Sequence, residues 1–467
     1  MRRVGRRAAV LAAALACACD SATEPVPVWL EIARGANQVG PTGGALRVPV
    51  AVEVKGPGGR LLIAAEVRWR VIEGGGTVEE PVTLSDSGGV ATTRWTLGTE
   101  PGPQLLLATA GHANVTIRAT ARVRMRAVTA GYRHTCALST RNEAFCWGAN
   151  ARGQLGDGTA RDTPVPVRVT GSDRFSMLSA GWSHTCAIST LDRTFCWGDD
   201  TAGQVTATLE GRPFYTEPTP AAISESLVTV TSGYVHTCGV TADGDLTCWG
   251  ENEVGQLGGP DPLLVQIEGT GFRQVSAGEF HTCGLASDER LFCWGWNAHG
   301  ELGTGAPFGA IARVPTEVSG DGRFTAIAAG VRHTCALATD AQVHCWGRSN
   351  GEIGQDVGFH TRVPGPVPGA AGFGAVGTGN THSCGITGKQ AYCWGTLLGN
   401  GSTGVSRAPV AVAGPLAFTA MSVGFDHSCG VADGEVWCWG SNSHGQIGQP
   451  GTSFSAVPVR VTIPGVE

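Results

Sequence analysis

Seven times between Gly131 and Gly440 the chain repeats Gly-x-x-His-(Thr or Ser)-Cys, and nine or ten residues after that cysteine comes Cys-Trp-Gly. The spacing couples Cys136 with Cys146, Cys186 with Cys196, Cys238 with Cys248, Cys283 with Cys293, Cys335 with Cys345, Cys384 with Cys393 and Cys429 with Cys438. One histidine and two thiols per repeat could coordinate zinc, the thiols could stay reduced in a core, or they could oxidise. Zinc would demand seven similar sites in one chain. In the sixth and seventh repeats Gly388-Lys389 and Asp433-Gly434 lie midway between cysteines nine apart, as a two-residue hairpin requires. The ten-residue spacings need a loop one residue longer. Both arrangements set the cysteines opposite each other on neighbouring strands, at the Cα separation of about 4.5 to 5.5 Å that a disulfide spans. Seven intra-hairpin disulfides are therefore expected.

The repeat histidines, His134, His184, His236, His281, His333, His382 and His427, could form a metal ring around an axis. A recurring buried imidazole more commonly satisfies main-chain groups, and bonds to backbone within or between repeats are the expectation. The tryptophan after each second cysteine, Trp147 through Trp439, should pack between repeats. The chain contains no Gly-x-Ser-x-Gly elbow, no phosphate-cradling Gly-x-x-x-x-Gly-Lys and no His-Glu-x-x-His. No catalytic residue, metal or cofactor is expected, and the chain reads as a non-enzyme. Thirty-three Lys and Arg stand against 39 Asp and Glu, a net charge of −6, with no basic run beyond the first residues. That balance excludes a nucleic-acid partner.

The elements that must position these residues follow from the period. Repeat histidines lie 45 to 52 residues apart, too long for a solenoid turn and suited to a four-stranded blade. Alternating runs such as His134 to Leu138 and Glu143 to Trp147 read as short antiparallel strands. The run Val128-Thr-Ala-Gly-Tyr-Arg-His-Thr-Cys-Ala-Leu138, followed by Cys146-Trp-Gly-Ala-Asn150 and Gly153-Gln-Leu-Gly156, resembles the repeat of the regulator of chromosome condensation family. Gly255-Gln-Leu-Gly258, Gly300-Glu-Leu-Gly303, Gly351-Glu-Ile-Gly354 and Gly445-Gln-Ile-Gly448 repeat its tail; Gly203-Gln-Val205 and Leu397-Leu-Gly-Asn-Gly401 depart from it. The resemblance implies an all-β seven-bladed propeller over residues 124–467. A Pro/Val strand such as Pro166-Val-Arg-Val169 precedes each repeat except the first, and its missing counterpart stands at Val457-Pro-Val-Arg-Val461. The C-terminal strand is therefore expected to pair into the blade begun near Arg126 and close the ring.

Ahead of the repeats, Arg2, Arg3, Arg6 and Arg7 precede an apolar run from Ala8 to Ala18, the pattern of a signal peptide over residues 1–19. Cys17 and Cys19 end that run in a context resembling the lipidation box of bacterial lipoproteins. An exported protein of the cell envelope or exterior is expected, held to membrane only by an N-terminal lipid. Residues 25–123 contain some seven β-like runs punctuated by Gly and Pro clusters and no cysteine. Length and strand count fit an immunoglobulin-like β-sandwich, with Trp69 and Trp95 as core aromatics. Gly74-Gly-Gly-Thr-Val78 and Asp86-Ser-Gly-Gly-Val-Ala91 look like the bacterial immunoglobulin-like domains of surface adhesins, which implies a spacer or an adhesive module.

Binding residues are sought at the variable positions between Gly and His, which should lie on loops at one face. Five of the seven loops carry an aromatic, and Tyr132, Arg133, Trp182, Tyr234, Phe280, Arg332 and Phe425 have the composition of a protein-docking hot spot. If the rings turn inward they pack against neighbouring blades instead. Tyr132, Trp182 and Tyr234 could alternatively stack on a glycan. The family resemblance implies guanine-nucleotide exchange on a small GTPase, which an export signal and disulfides argue against, or, from its secreted members, inhibition of β-lactamases. A monomer docking a macromolecule on its rim is the reading.

Overall fold

The computed structural model describes residues 28–269, 271–355 and 360–464. The expected signal peptide over residues 1–19 and the expected lipidation positions Cys17 and Cys19 lie outside the described residues. The chain divides into two compact units between Arg122 and Val123.

The first unit is built around two main sheets, with Thr77–Val78 and Trp95–Thr96 pairing as a small third. Three antiparallel strands, Trp29–Arg34, Val50–Lys55 and Val90–Thr93, form one; Gln38–Pro41, Ala113–Arg122, Gly102–Ala110, Glu66–Glu73 and Val82–Leu84 form the other in that order. Alternate residues point inward, so Val50, Val52 and Val54 meet Val67, Leu106, Ala108, Ile117 and Ala119 in one core. Trp69 and Trp95 both lie in it, as expected. The Trp69 indole donates to Thr83 Oγ1 at 2.8 Å, which lets a polar ring nitrogen be buried there.

In the second unit the described residues form seven four-stranded antiparallel sheets. The first blade runs from its innermost strand Met125–Ala130 through His134–Ser139 and Ala144–Gly148 to the outer strand Thr163–Arg168. Cys136 faces Cys146 across the second and third strands. The same register sets Cys186 opposite Cys196, Cys238 opposite Cys248, Cys283 opposite Cys293, Cys335 opposite Cys345, Cys384 opposite Cys393 and Cys429 opposite Cys438. All seven disulfides are formed with the expected partners. Their Cα atoms are 4.0 to 4.1 Å apart, which corrects the wider separation expected of a cross-strand pair: the bridge draws the two strands together at each staple. The sulfurs are thereby unavailable to zinc. The turns follow the spacing: Thr387 pairs Gln390 and Ala432 pairs Glu435 around two-residue loops, while Ser139 bonds Glu143 around three.

The expected closure is wrong. The last strand, Phe454–Arg460, pairs with Glu435–Ser441 of the seventh blade, not with the first. Each Pro/Val strand is the outer strand of the blade it follows, so all seven blades are made of consecutive strands and the register of the expectation was displaced by one strand. The ring shuts at a seam like the others. Thr135 Oγ1 and the Trp147 indole both donate to Gln446 O, and Val461 and Ile463 pack with Trp147 in one buried cluster. Outer edges therefore stay open, and proline is placed on them: Pro164 and Pro166, Pro218, Pro315, Pro366, Pro409 and Pro458 interrupt the donors that another strand would pair with.

Every seam carries a bond from the repeat histidine to a hydroxyl of the next blade, and five of the seven add the same two bonds to one carbonyl; at the others Trp394 Nε1 has no partner among the described residues and Trp439 donates to Leu397 O. His134 Nε2 meets Thr185 Oγ1 of the next blade at 2.8 Å, and Thr185 donates onward to Gln154 O at 2.9 Å, which the Trp197 indole also reaches. Because the threonine hydrogen goes to a carbonyl, the hydroxyl must accept from the imidazole, which fixes the Nε2–H tautomer and leaves Nδ1 an unprotonated lone pair. The histidines thus bridge blades, as expected, but through a hydroxyl and not the main chain. Full burial holds all seven neutral, pushing each down to about 3.

Candidate partner-binding face

The channel mouth is built from the turn that follows each innermost strand. The glycine of Gly-x-x-His sits where two blades touch: a Cβ on Gly131 would come within 2.3 Å of Gly181 O. That closeness lets the next amide reach across the seam. Tyr132 N donates to Gly181 O at 3.0 Å, Trp182 N to Gly233 O at 3.0 Å, Tyr234 N to Gly278 O at 3.3 Å, and Phe425 N back to Gly131 O at 3.1 Å. The residue after the glycine is therefore carried on a closed circuit of main-chain hydrogen bonds, a rigid mount for a side chain.

These residues divide the mouth into two arcs. Phe425, Tyr132, Trp182 and Tyr234, from the seventh, first, second and third blades, form an aromatic arc. Tyr132 and Trp182 stack with centroids 3.5 Å apart, while Phe425 meets Tyr132 edge-on at 4.4 Å and Tyr234 meets Trp182 edge-on at 4.4 Å. Phe280 extends the series, 5.3 Å from Tyr234. Glu279, Val331 and Asn380 occupy the same position on the other three blades. The rings are half-buried: they neither stand free nor fold between blades, but pack on one another over the axis. Of the residues singled out in the sequence, Arg133 and Arg332 are exposed. The Arg133 guanidinium lies 4.5 Å over the Tyr132 ring, and Arg332 pairs with Glu279 at 3.5 Å. The structure thus gathers Phe425, Tyr132, Arg133, Trp182, Tyr234 and Phe280 and leaves Arg332 on the polar arc.

Burial raises the Glu279 carboxyl, against the pull of Arg332, and burial raises Asp426, against a hydrogen bond from Asn380. The Tyr234 phenol is raised by burial and then by the charge of Glu279. Among the described residues no three His, Cys, Asp or Glu side chains are grouped to hold a metal ion. Beside the polar arc, between the fourth and fifth blades, Glu279, Phe280, Trp296, His299, Glu301 and Arg332 line a cleft of about 260 Å³. Sequence reasoning missed Trp296, His299 and Glu301. The signal was present in Gly300-Glu-Leu-Gly303, where four blades have glutamine.

A family model described as RCC1-like domain matches residues 94–412, and models of the regulator of chromosome condensation (RCC1) repeat match residues 418–446 and 433–466. Comparison with curated proteins gives no match. Among solved structures, human WBSCR16 is 21% identical with a TM-score of 0.64, covering 69% of this chain and 95% of its own. Prp20p from Saccharomyces cerevisiae is 20% identical with a TM-score of 0.58, covering 65% of this chain and 82% of its own.

Proposed function

Since the chain belongs to the RCC1-like domain family, its model spanning more than half the sequence, we propose that this propeller is an exported, surface-anchored scaffold that docks a protein on the aromatic arc of its channel mouth. The carrying observation is that arc: four mutually packed rings with Arg133 beside them, mounted on a backbone circuit that needs no ordering when a partner arrives. Prp20p, which shares the fold, was studied for its binding to Gsp1p and histones. Seven disulfides are consistent with an oxidising compartment, which argues against nucleotide exchange on a cytosolic GTPase. Tyr132 and Trp182 use their faces on each other at 3.5 Å, which disfavours stacking on sugars and supports a protein ligand over a glycan. In this reading the first unit is an immunoglobulin-like spacer that holds the propeller off a lipid-anchored N-terminus.

The test is affinity capture from native envelope with the full chain and with Trp182→Ala plus Tyr234→Ala. One defined protein retained by the first and lost by the second, with the melting temperature kept, is the expected result. Equal retention by both would overturn the reading.

A further inference from the structure

The seven blades supply an internal control for the cleft beside the mouth. In six of them the Gly-(Gln or Glu)-(Leu, Ile or Val) tail folds back on its own loop: Gln154, Gln204, Gln256, Glu301, Glu352 and Gln446 each accept a hydrogen bond from the backbone amide two residues earlier. In two of the four glutamine blades the far atom of that side chain is matched by the residue just after Cys-Trp-Gly, whereas Gln256 Nε2 has no partner among the described residues. Gln204 Nε2 donates to Asp199 at 2.9 Å and Gln446 Nε2 reaches Ser441 Oγ at 3.4 Å. In the fifth blade the residue is an acid, Glu352, and the partner is a cation: Arg348 Nε lies 2.7 Å from Glu352 Oε1.

The fourth blade has the acid without the cation. Glu301 is only 4% exposed and accepts from His299 N at 2.7 Å through one oxygen. Beyond its own backbone amide, no donor among the described residues meets the other oxygen. The position equivalent to Arg348 is Trp296, a residue 39% exposed that lines the cleft with Phe280, the two ring centroids 5.8 Å apart. The remaining charged groups do not supply what is missing. Arg332 is engaged by Glu279, and burial lowers His299, with the cations Arg332 and Arg348 nearby acting in the same direction. Arg348 itself is held by Glu352. With Glu301 ionised, the cleft carries one negative charge in excess.

We propose that this cleft binds the guanidinium or ammonium group of an organic cation, set between the open oxygen of Glu301 and the Trp296 indole, in the role that Arg348 fills for the fifth blade. Carboxylate and aromatic face together are the chemistry that recognises such a group. The cation can come from a free amine or from an arginine side chain of a docked polypeptide. The proposal does not rest on the channel mouth, because its readout involves no protein partner.

Calorimetric titration of the full chain with agmatine, and separately with a short arginine-containing peptide, tests it. Burial raises Glu301 to about 7, so binding should be about tenfold tighter at roughly pH 8 than at roughly pH 6. Glu301→Gln, which installs the residue other blades carry, should abolish both the binding and its pH dependence. Trp296→Arg, which supplies the missing partner from within, should block the cleft while preserving the melting temperature. Agmatine binding would point to a free amine as sufficient ligand; peptide binding alone would assign the site to a partner's side chain. Saturable binding of neither, or unchanged affinity in Glu301→Gln, overturns the proposal.

Discussion

The two units are both all-β, yet they are held together in different ways. The sandwich relies on alternating apolar side chains from two sheets, contains no cysteine, and has one histidine, His112, which is exposed. The propeller has a disulfide inside every blade and a buried neutral imidazole at every seam. Burial of apolar surface responds weakly to redox and pH, whereas thiol bridges and imidazoles respond directly. One chain thus joins a unit whose core holds neither group to one that has both in every repeat.

Hydrogen exchange read peptide by peptide on the full chain can break that contrast, and reduction should have the largest effect. Each short-loop bridge contributes about 2 to 3 kcal/mol to the propeller, so a strong reductant should strip protection from residues 123–464 while residues 28–122 keep theirs. Equal loss in both units would end the distinction.

Acid comes next. Each repeat histidine titrates at its ordinary 6.5 when unfolded and at about 3 when folded, so between those values the unfolded chain binds more protons. Stability therefore falls as pH falls through that window, so the propeller should unfold on acidification below its histidines' ordinary range, and the sandwich should not follow.

A truncation sharpens the comparison within the propeller. Removing residues 458–467 takes Val461 and Ile463 from the seam between the seventh and first blades, and a loss of roughly 3 to 5 kcal/mol should appear in those two blades first. Uniform loss around the ring would show that the blades unfold as one body. Thr185→Val deprives His134 of its acceptor and Gln154 of one donor, at about 2 to 4 kcal/mol, measured as a lowered denaturation midpoint. Smallest of the set, Trp69→Phe removes a single indole bond to Thr83 and should cost the sandwich about 1 kcal/mol.

Most of the propeller was legible because its determinants are local and repeated seven times. The cysteine spacing gave the hairpin, the hairpin gave the disulfide, and the period gave the blade. Closure was misread because a Pro/Val strand between two repeats can be assigned to either neighbour from periodicity alone, and only the pairing of Trp437 with Arg460 decides it. The mouth was half legible. Aromatics between Gly and His were visible, but the stacking of Tyr132 on Trp182 depends on a circuit of backbone bonds between residues some 50 apart. Glu301 was overlooked because its meaning is relational. It matters only beside Glu352, whose arginine it lacks.

The nine- and ten-residue spacing of the bridged cysteines bears on how the chain matures. Fourteen thiols admit about 135,000 complete pairings, and the native one joins them two by two in chain order, each pair within a hairpin. Folding from the N-terminal side, each hairpin can seal its own staple without waiting for any thiol beyond it. Formed in that order, the native pairing needs no rearrangement of one bridge into another.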